Sequence, residues 1–292
     1  MKTKRTVSRF DIFNILFLAF LSLLFLVPFW IVFSTSFVGQ MESVRRGAYL
    51  FYPEVIDLSS YKTLLTGGSV VYRAYLVTLF RVVVGTLLNL LFTITLAYGM
   101  SKRNMPGRGI ISVYVLFTML FSGGLIPTFM LISALKLINT IWVLIIPSLV
   151  SAWNTLLMRN FFMQIPESLE ESAHIDGASV LNTLFRITLP LSKASIATIG
   201  LFYAVAHWNR WFDAAIYIHN TELYPMQLLL RNIVLSASNQ NLNSELMSEM
   251  IRPPAESLKS AAIIITTLPI LTVYPFVQKY FVKGVLVGGL KG

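Results

Sequence analysis

Carboxylates are scarce in this chain, 13 Asp and Glu against 23 Lys and Arg in 292 residues, and Glu167, Glu170, Glu171 and Asp176 gather in one short stretch. Grouped carboxylates can do acid–base work, but no Ser/His/Asp arrangement of catalytic type accompanies them. His174, His207 and His219 stand in different contexts without metal-ligand spacing, and each reads as a polar group satisfied locally. Cys is absent, which removes thiol nucleophiles, disulfides and thiolate metal sites. No G-x-x-x-x-G-K-[ST] phosphate cradle occurs. Catalytic residues, metal and cofactor are all expected to be none. A second chemically distinctive stretch covers residues 202–213, with Tyr203, Trp208, Asn209, Arg210, Trp211 and Asp213. Trp208 and Trp211 share a helix face at i, i+3, and Arg210 and Asp213 can pair at the same spacing. Aromatic planes beside amide and charged groups suit a sugar path, since sugar rings stack on apolar faces while hydroxyls need donors and acceptors. An interfacial aromatic belt accounts for the same residues, and both readings stay open.

The elements that must hold these residues are set by composition. The chain is 55% hydrophobic and 12% charged, with a mean hydropathy of +0.70. A water-soluble domain of this size carries about twice that charge, so an all-α integral membrane protein is expected. Six apolar runs, at about residues 12–33, 74–100, 110–135, 140–162, 194–218 and 261–281, are each near the ~20 residues that cross a bilayer core. The first follows a basic tail but is too long for a secretory h-region of about 7 to 15 residues, and no small-residue cleavage site follows. Gly123, Gly124 and Pro127 should kink the third run and Pro147 should interrupt the fourth. No second domain is visible, so residues 1–292 read as a single transmembrane unit. Residues 219–259 form the sizeable polar insertion, where 240–245 suit a turn or a docking surface.

Six spans put both termini on one side. That side carries thirteen Lys and Arg in four short segments, and the opposite side carries eight over longer loops. By the positive-inside rule the termini and residues 163–193 are cytoplasmic. The net charge of +10 thus reflects topology, and no nucleic-acid partner is implied. Arg81, early in the second run, either snorkels to the outer interface, the favoured reading, or faces a cavity.

The charged stretch itself reads as two short helices at an angle. Pro166 suits a first helical position and the carboxylates after it suit a helix N-terminus. Asp176-Gly177 supplies the break, because Gly accepts the left-handed conformation. Val180, Leu181, Leu184 and Phe185 then form an apolar stripe on a second helix that Pro190 stops.

Glu171-Ser172-Ala173, then Asp176-Gly177-Ala178, then Ile187 to Leu189-Pro190 resemble the EAA loop of ABC importer permeases. That pattern is E-A-A, a Gly after three intervening residues, and a closing I-x-L-P, with Ser172 in place of the first Ala. The segments 121–128, 206–214, 223–228 and 279–284 are similar to the carbohydrate-uptake, maltose-type group, in its branch taking complex or uronic-acid-containing oligosaccharides, and the likeness covers nearly the whole chain. The resemblance implies six spans with a cytoplasmic two-helix coupling loop between the fourth and fifth, in a multi-pass protein of the cell membrane. The partners it implies are a sister permease, two cytoplasmic ATPase subunits, an extracytoplasmic solute-binding protein, membrane lipid and a sugar or oligosaccharide. By position Glu171, Ser172, Ala173, Asp176, Gly177 and Ala178 would form the coupling helix and its turn, with Leu189 and Pro190 closing the loop.

Energy arguments agree with this. A gradient-driven carrier, the alternative, usually displays several intramembrane carboxylates, whereas only Asp213 lies well inside an expected span. A membrane scaffold without transport is a third class.

Overall fold

The structure is a computed structural model that describes residues 8–47, 49–66, 70–243 and 254–289, with side chains for all of these but 237–243 and 273–289. The basic residues Lys2, Lys4 and Arg5, the pair Gly67 and Gly68, residues 244 and 245, and the side chains of 279–284 lie outside that description. The described residues are helical, with no strand among them.

In chain order the helices are α1 (Arg9–Thr35), α2 (Gln40–Arg46), α3 (Ser59–Thr66), α4 (Val70–Ser101), α5 (Arg108–Leu120), α6 (Leu125–Ala134), α7 (Ala152–Phe162), α8 (Glu167–Ile175), α9 (Val180–Thr183), α10 (Leu189–Leu191), α11 (Lys193–Asn209), α12 (Phe212–Tyr217), α13 (Met226–Asn243) and α14 (Ala255–Gly289). Two 3₁₀ turns, Ile141–Leu144 and Ile146–Ser148, precede α7, and a π turn, Leu184–Thr188, joins α9 to α10. Three described helices, Arg9–Thr35, Val70–Ser101 and Ala255–Thr272, are long and apolar enough to cross a membrane, and up to six spans result if each bent pair counts as one.

The breaks have local causes. The expected kink in residues 110–135 is sharper than a bend, because α5 and α6 meet at 115°. Phe121 is extended and Gly124 sits at φ 84°, a conformation open to glycine at little steric cost. The run 140–162 starts as 3₁₀ turns around Pro147 and meets α7 at 51°. The run 194–218 is two helices, since Arg210 is extended between α11 and α12. Trp208 and Trp211 therefore do not share a helix face, and Arg210 and Asp213 do not pair at i, i+3. Both expectations required a continuous helix through residue 213, and the helix stops at Asn209.

The chain packs as two compact units. In the unit of residues 1–69 and 230–269, Leu64 packs with Ala261 and Ala262, Ser36 bonds Tyr61 at 2.8 Å, and Ser257 donates to the Val38 carbonyl at 2.8 Å. Along α1 most apolar side chains from Phe10 to Phe33 stand exposed, as a lipid-facing helix requires.

The unit of residues 70–229 and 270–292 holds both stretches with chemical potential and is organised on α4. One apolar cluster joins Val77 of α4 to Ile132, Leu144, Tyr217 and Leu228. A second joins Ala97 and Tyr98 to Met158, Phe162, Leu184 and Tyr203. Between them Thr78, Arg81, Gly85, Asn89 and Thr93 recur every three or four residues, so they share one helix face, and that face is buried.

Candidate functional site

The buried face of α4 makes a polar ladder. Thr78 accepts the Met226 N–H at 2.8 Å. Arg81 is fully buried, donates through Nη1 to the Arg210 carbonyl at 2.8 Å and forms an ion pair with Asp213. The favoured snorkelling of Arg81 is thus corrected: a carboxylate lies within its reach, and pairing in the interior replaces water. Asn89 donates to the Ser148 and Leu149 carbonyls at 2.6 and 2.8 Å, which satisfies backbone released by the irregular turn at Pro147. Thr93 bonds the Tyr203 hydroxyl at 2.7 Å.

Those Asn89 bonds decide a tautomer. Its amide nitrogen faces two carbonyls, so its Oδ1 faces His207 Nε2 at 2.7 Å and must accept from it. His207 therefore carries its proton on Nε2, and Nδ1 is left as an acceptor, buried and without a hydrogen-bond partner among the described residues. The ring lies close against α4 because residue 85 is glycine. A Cβ there would stand 2.6 Å from Nε2. Gly85→Ala is expected to break the His207–Asn89 bond and cost about 1–3 kcal/mol, as overpacking does. Thermal denaturation of the purified variant, read as a lowered Tm, checks this.

Above the ladder lies a cavity of about 430 Å³. Ser151, Asn154, Tyr203, His207 and Arg210 supply its polar lining, and Pro147, Val150 and Ala206 part of its apolar wall. Of the expected path residues, Tyr203 and Arg210 meet here, and Asp213 reaches the site only through Arg81. Asn209 is turned back onto the Val205 carbonyl at 3.0 Å. Trp208 is buried outside the cavity lining, and Trp211 packs on the apolar cluster around Tyr217. Sequence reasoning missed Asn89 and Gly85 and set His207 aside. The signal was the three-to-four-residue recurrence of polar and small residues along an otherwise apolar run.

The second constellation is the stretch after α7. Helix α8 begins after Pro166, the flanking residue, with Glu167 and Glu170 in its first turn. It ends in a paired-bond cap: Ala178 N–H donates to Ala173 O at 2.8 Å and Gly177 N–H to His174 O at 3.0 Å, with Gly177 at φ 82°. The expected break at Asp176-Gly177 is thus present. Ser172, the departure from E-A-A, donates to its own helix at Ser168 O, 2.9 Å away. A Cβ at Gly177 would meet nothing within 4 Å, so Gly177→Ala costs only the left-handed backbone strain of about 1–2 kcal/mol. Pro190 distorts the second helix, which ends one residue later at Leu191. Lacking an N–H and crowding the preceding turn, it follows the π turn, where Leu189 N–H donates to Leu184 O. The run Val180–Leu191 then meets α11 at 84°.

The knob is clamped to the end of α4 and to Lys102 and Arg103, which directly follow it. Lys102 pairs with Glu170 and lies 4.1 Å over the Tyr98 ring, Thr188 donates to Glu170 at 3.3 Å, and Arg103 meets Glu167 at 3.1 Å. Leu184 joins the apolar cluster beneath. The expected stripe therefore divides: Leu184 is buried, while Val180, Leu181 and Phe185 stand exposed with Leu169 and Ile175. Glu171 is exposed as well.

Residues 85–287 match the family described as binding-protein-dependent transport system inner membrane component. Protein LplC of Bacillus subtilis (strain 168) is 42% identical over 283 residues, covering 97% of this chain and 95% of the relative. The polygalacturonan/rhamnogalacturonan transport system permease protein YtcP of the same strain is 40% identical over 283 residues, with 97% and 98% covered. Among solved structures, a chain of a bacterial ABC transporter involved in the import of the acidic polysaccharide alginate matches with a TM-score of 0.85 and 32% identity, covering 95% of this chain and 100% of that one. The matched residues take in the α4 ladder from Gly85 onward, the cavity and the clamped knob, and the chain belongs to the family of binding-protein-dependent transport system inner membrane components.

Proposed function

We propose that this chain is the permease subunit of an ABC importer carrying a sugar or oligosaccharide across the cytoplasmic membrane, with residues 167–190 as the loop that receives work from ATPase subunits. The observation that carries the reading is the knob's two-sidedness. Its inner side is fixed to α4 by Lys102–Glu170 and Leu184, while Leu169, Ile175, Val180, Leu181 and Phe185 are bare. Bare apolar groups beside exposed charges suit a groove on a partner.

In this reading residues 1–292 are one permease domain of six spans, each bent pair counted as one, and both termini are cytoplasmic. The Lys and Arg asymmetry supports that orientation. A sister permease, two ATPases and an extracytoplasmic solute-binding protein complete the complex, and lipid covers α1. Glu171, Ser172, Ala173, Asp176, Gly177 and Ala178 form the docking helix and its turn, and Leu189 and Pro190 set the angle at which the knob meets α11. Nucleotide-driven closure of the ATPases draws the knob with them, α4 follows through the clamp, and the cavity changes sides. The cargo is an oligosaccharide bearing carboxylates, supported by the polygalacturonan/rhamnogalacturonan and alginate named for two relatives.

ATP-dependent uptake of trigalacturonate by proteoliposomes holding the complete complex tests the proposal. Uptake by this chain alone, driven by an ion gradient without ATP, would favour a secondary carrier. Gly177→Trp bears on the same reading. A Cβ at the turn meets nothing within 4 Å in this subunit, so damage beyond the backbone strain is assigned to the docked partner. Sugar-stimulated ATPase activity is expected to fall at least about tenfold, the scale of a lost interface anchor, whereas normal stimulation would show that nothing closes over the turn.

A further inference from the structure

The geometry points to a carboxylate-binding subsite within this subunit's own cavity, centred on Arg210 and completed by His207, Ser151 and Asn154. The inference rests on the oligosaccharide-import reading and says which subunit grips the cargo in the membrane.

Charge placement is the first argument. The cavity lining holds Arg210 and no acidic residue. The acid nearest in sequence, Asp213, is engaged by Arg81 and also accepts the Ala214 N–H at 2.8 Å. Arg81 thereby neutralises the carboxylate and, through its bond to the Arg210 carbonyl, holds the extended backbone that lets residue 210 line the cavity. The Arg210 guanidinium makes no ion pair with a described acid. Residue 210 is exposed in this subunit and lines a cavity that holds no acid, so its unpaired guanidinium marks where an anionic group of the cargo belongs. Its planar fork matches a carboxylate in bidentate geometry.

Hydrogen-bonding capacity is the second argument and is independent of the first. The Asn89 chain fixes the His207 ring on the cavity wall, with its Nε2–H given to Asn89 Oδ1. Ser151 and Asn154, at the start of α7, present further polar groups on the same cavity. Pro147, Val150 and Ala206 line the same cavity, which suits the apolar face of a pyranose ring. One carboxylate, hydroxyls and an apolar face together describe a uronate residue.

The test uses the complete complex with hydrolysis-deficient ATPase subunits, loaded with ATP and freed of the binding protein. Binding of trigalacturonate and of its methyl ester is measured by titration calorimetry. Arg210→Gln is expected to weaken trigalacturonate by at least about tenfold, as loss of a charge-assisted pair does, and to weaken the ester far less. Arg210→Lys should regain part of the loss, and elution of each variant complex at the wild-type volume in size-exclusion chromatography reports its assembly. An equal loss for acid and ester would overturn the subsite, because it marks damage to the cavity rather than a missing charge. Unchanged affinity for the acid would overturn it too. If the wild-type complex with its binding protein imports trigalacturonate while either of those results holds, only the subsite falls. If it imports neither compound, the carboxylated-cargo reading falls and takes the subsite with it.

Discussion

Arg81→Ala is expected to cost the protein about 3–5 kcal/mol, the penalty for leaving a buried charge unpaired. The wild-type guanidinium is wholly buried and serves Asp213 and the Arg210 carbonyl at once. Removing it strands a carboxylate that is 17% exposed, too little for water to replace the lost partner. The extended link between α11 and α12 then loses its anchor, and Arg210 loses its fixed place on the cavity. Thermal unfolding followed by size-exclusion chromatography in detergent should show the drop. Arg81→Ala with Asp213→Asn should be more stable than Arg81→Ala alone, because the stranded charge is gone, and the cycle of single and double variants isolates the pair's coupling. Equal stability of Arg81→Ala and wild type would show that the ladder does not hold the fold.

The second large effect is expected at Glu170→Lys. Glu170 is 15% exposed and paired with Lys102, so the substitution sets two ammonium groups against each other where solvent screens them poorly. Thr188 loses its acceptor at the same time. The knob should detach from α4 while keeping its own helices and turn, because the cap at Gly177 does not use Glu170. ATP-driven uptake by the complete complex should therefore fall by at least about tenfold, taking roughly 1.4 kcal/mol per decade for the broken link. Lys102→Glu combined with Glu170→Lys should recover much of the uptake, since the pair is restored with its sense reversed. Loss of uptake that the reversed pair does not relieve would contradict a role for this contact in transmitting movement.

Local instructions were readable before any coordinates. Gly177 with Asp176 before it, Gly124 and Pro147 each act through their own backbone, so the turn, a kink in the third run and an interruption of the fourth are expected from residue type, though not the 115° between α5 and α6. The E-A-A pattern and its register likewise pointed to a compact two-helix projection. The polar ladder was not readable in the same way. Arg81 and Asp213 are 132 residues apart, and Asn89 and His207 are 118 apart. Spacing along α4 reveals that a face is polar but not which residue answers it. The reading of Arg210 with Asp213 failed for a related reason. Spacing of i, i+3 brings two groups together only on a continuous helix, and tertiary demand from Arg81 on the Arg210 carbonyl accompanies a break there. His207 shows the converse. Taken alone it suggests a locally satisfied polar group, and one ring nitrogen is satisfied by Asn89, while the other is buried with no hydrogen-bond partner among the described residues.

The account turns on a cytoplasmic knob gripped by an ATPase. Because the chain has no cysteine, Glu171→Cys introduces a single thiol at an exposed point of α8. Membrane-impermeant maleimide should label it in inside-out vesicles and leave it untouched in right-side-out vesicles, and a short thiol crosslinker in the complete complex should capture an ATPase subunit. Labelling from the outer side, or crosslinking that never reaches an ATPase, would contradict the account.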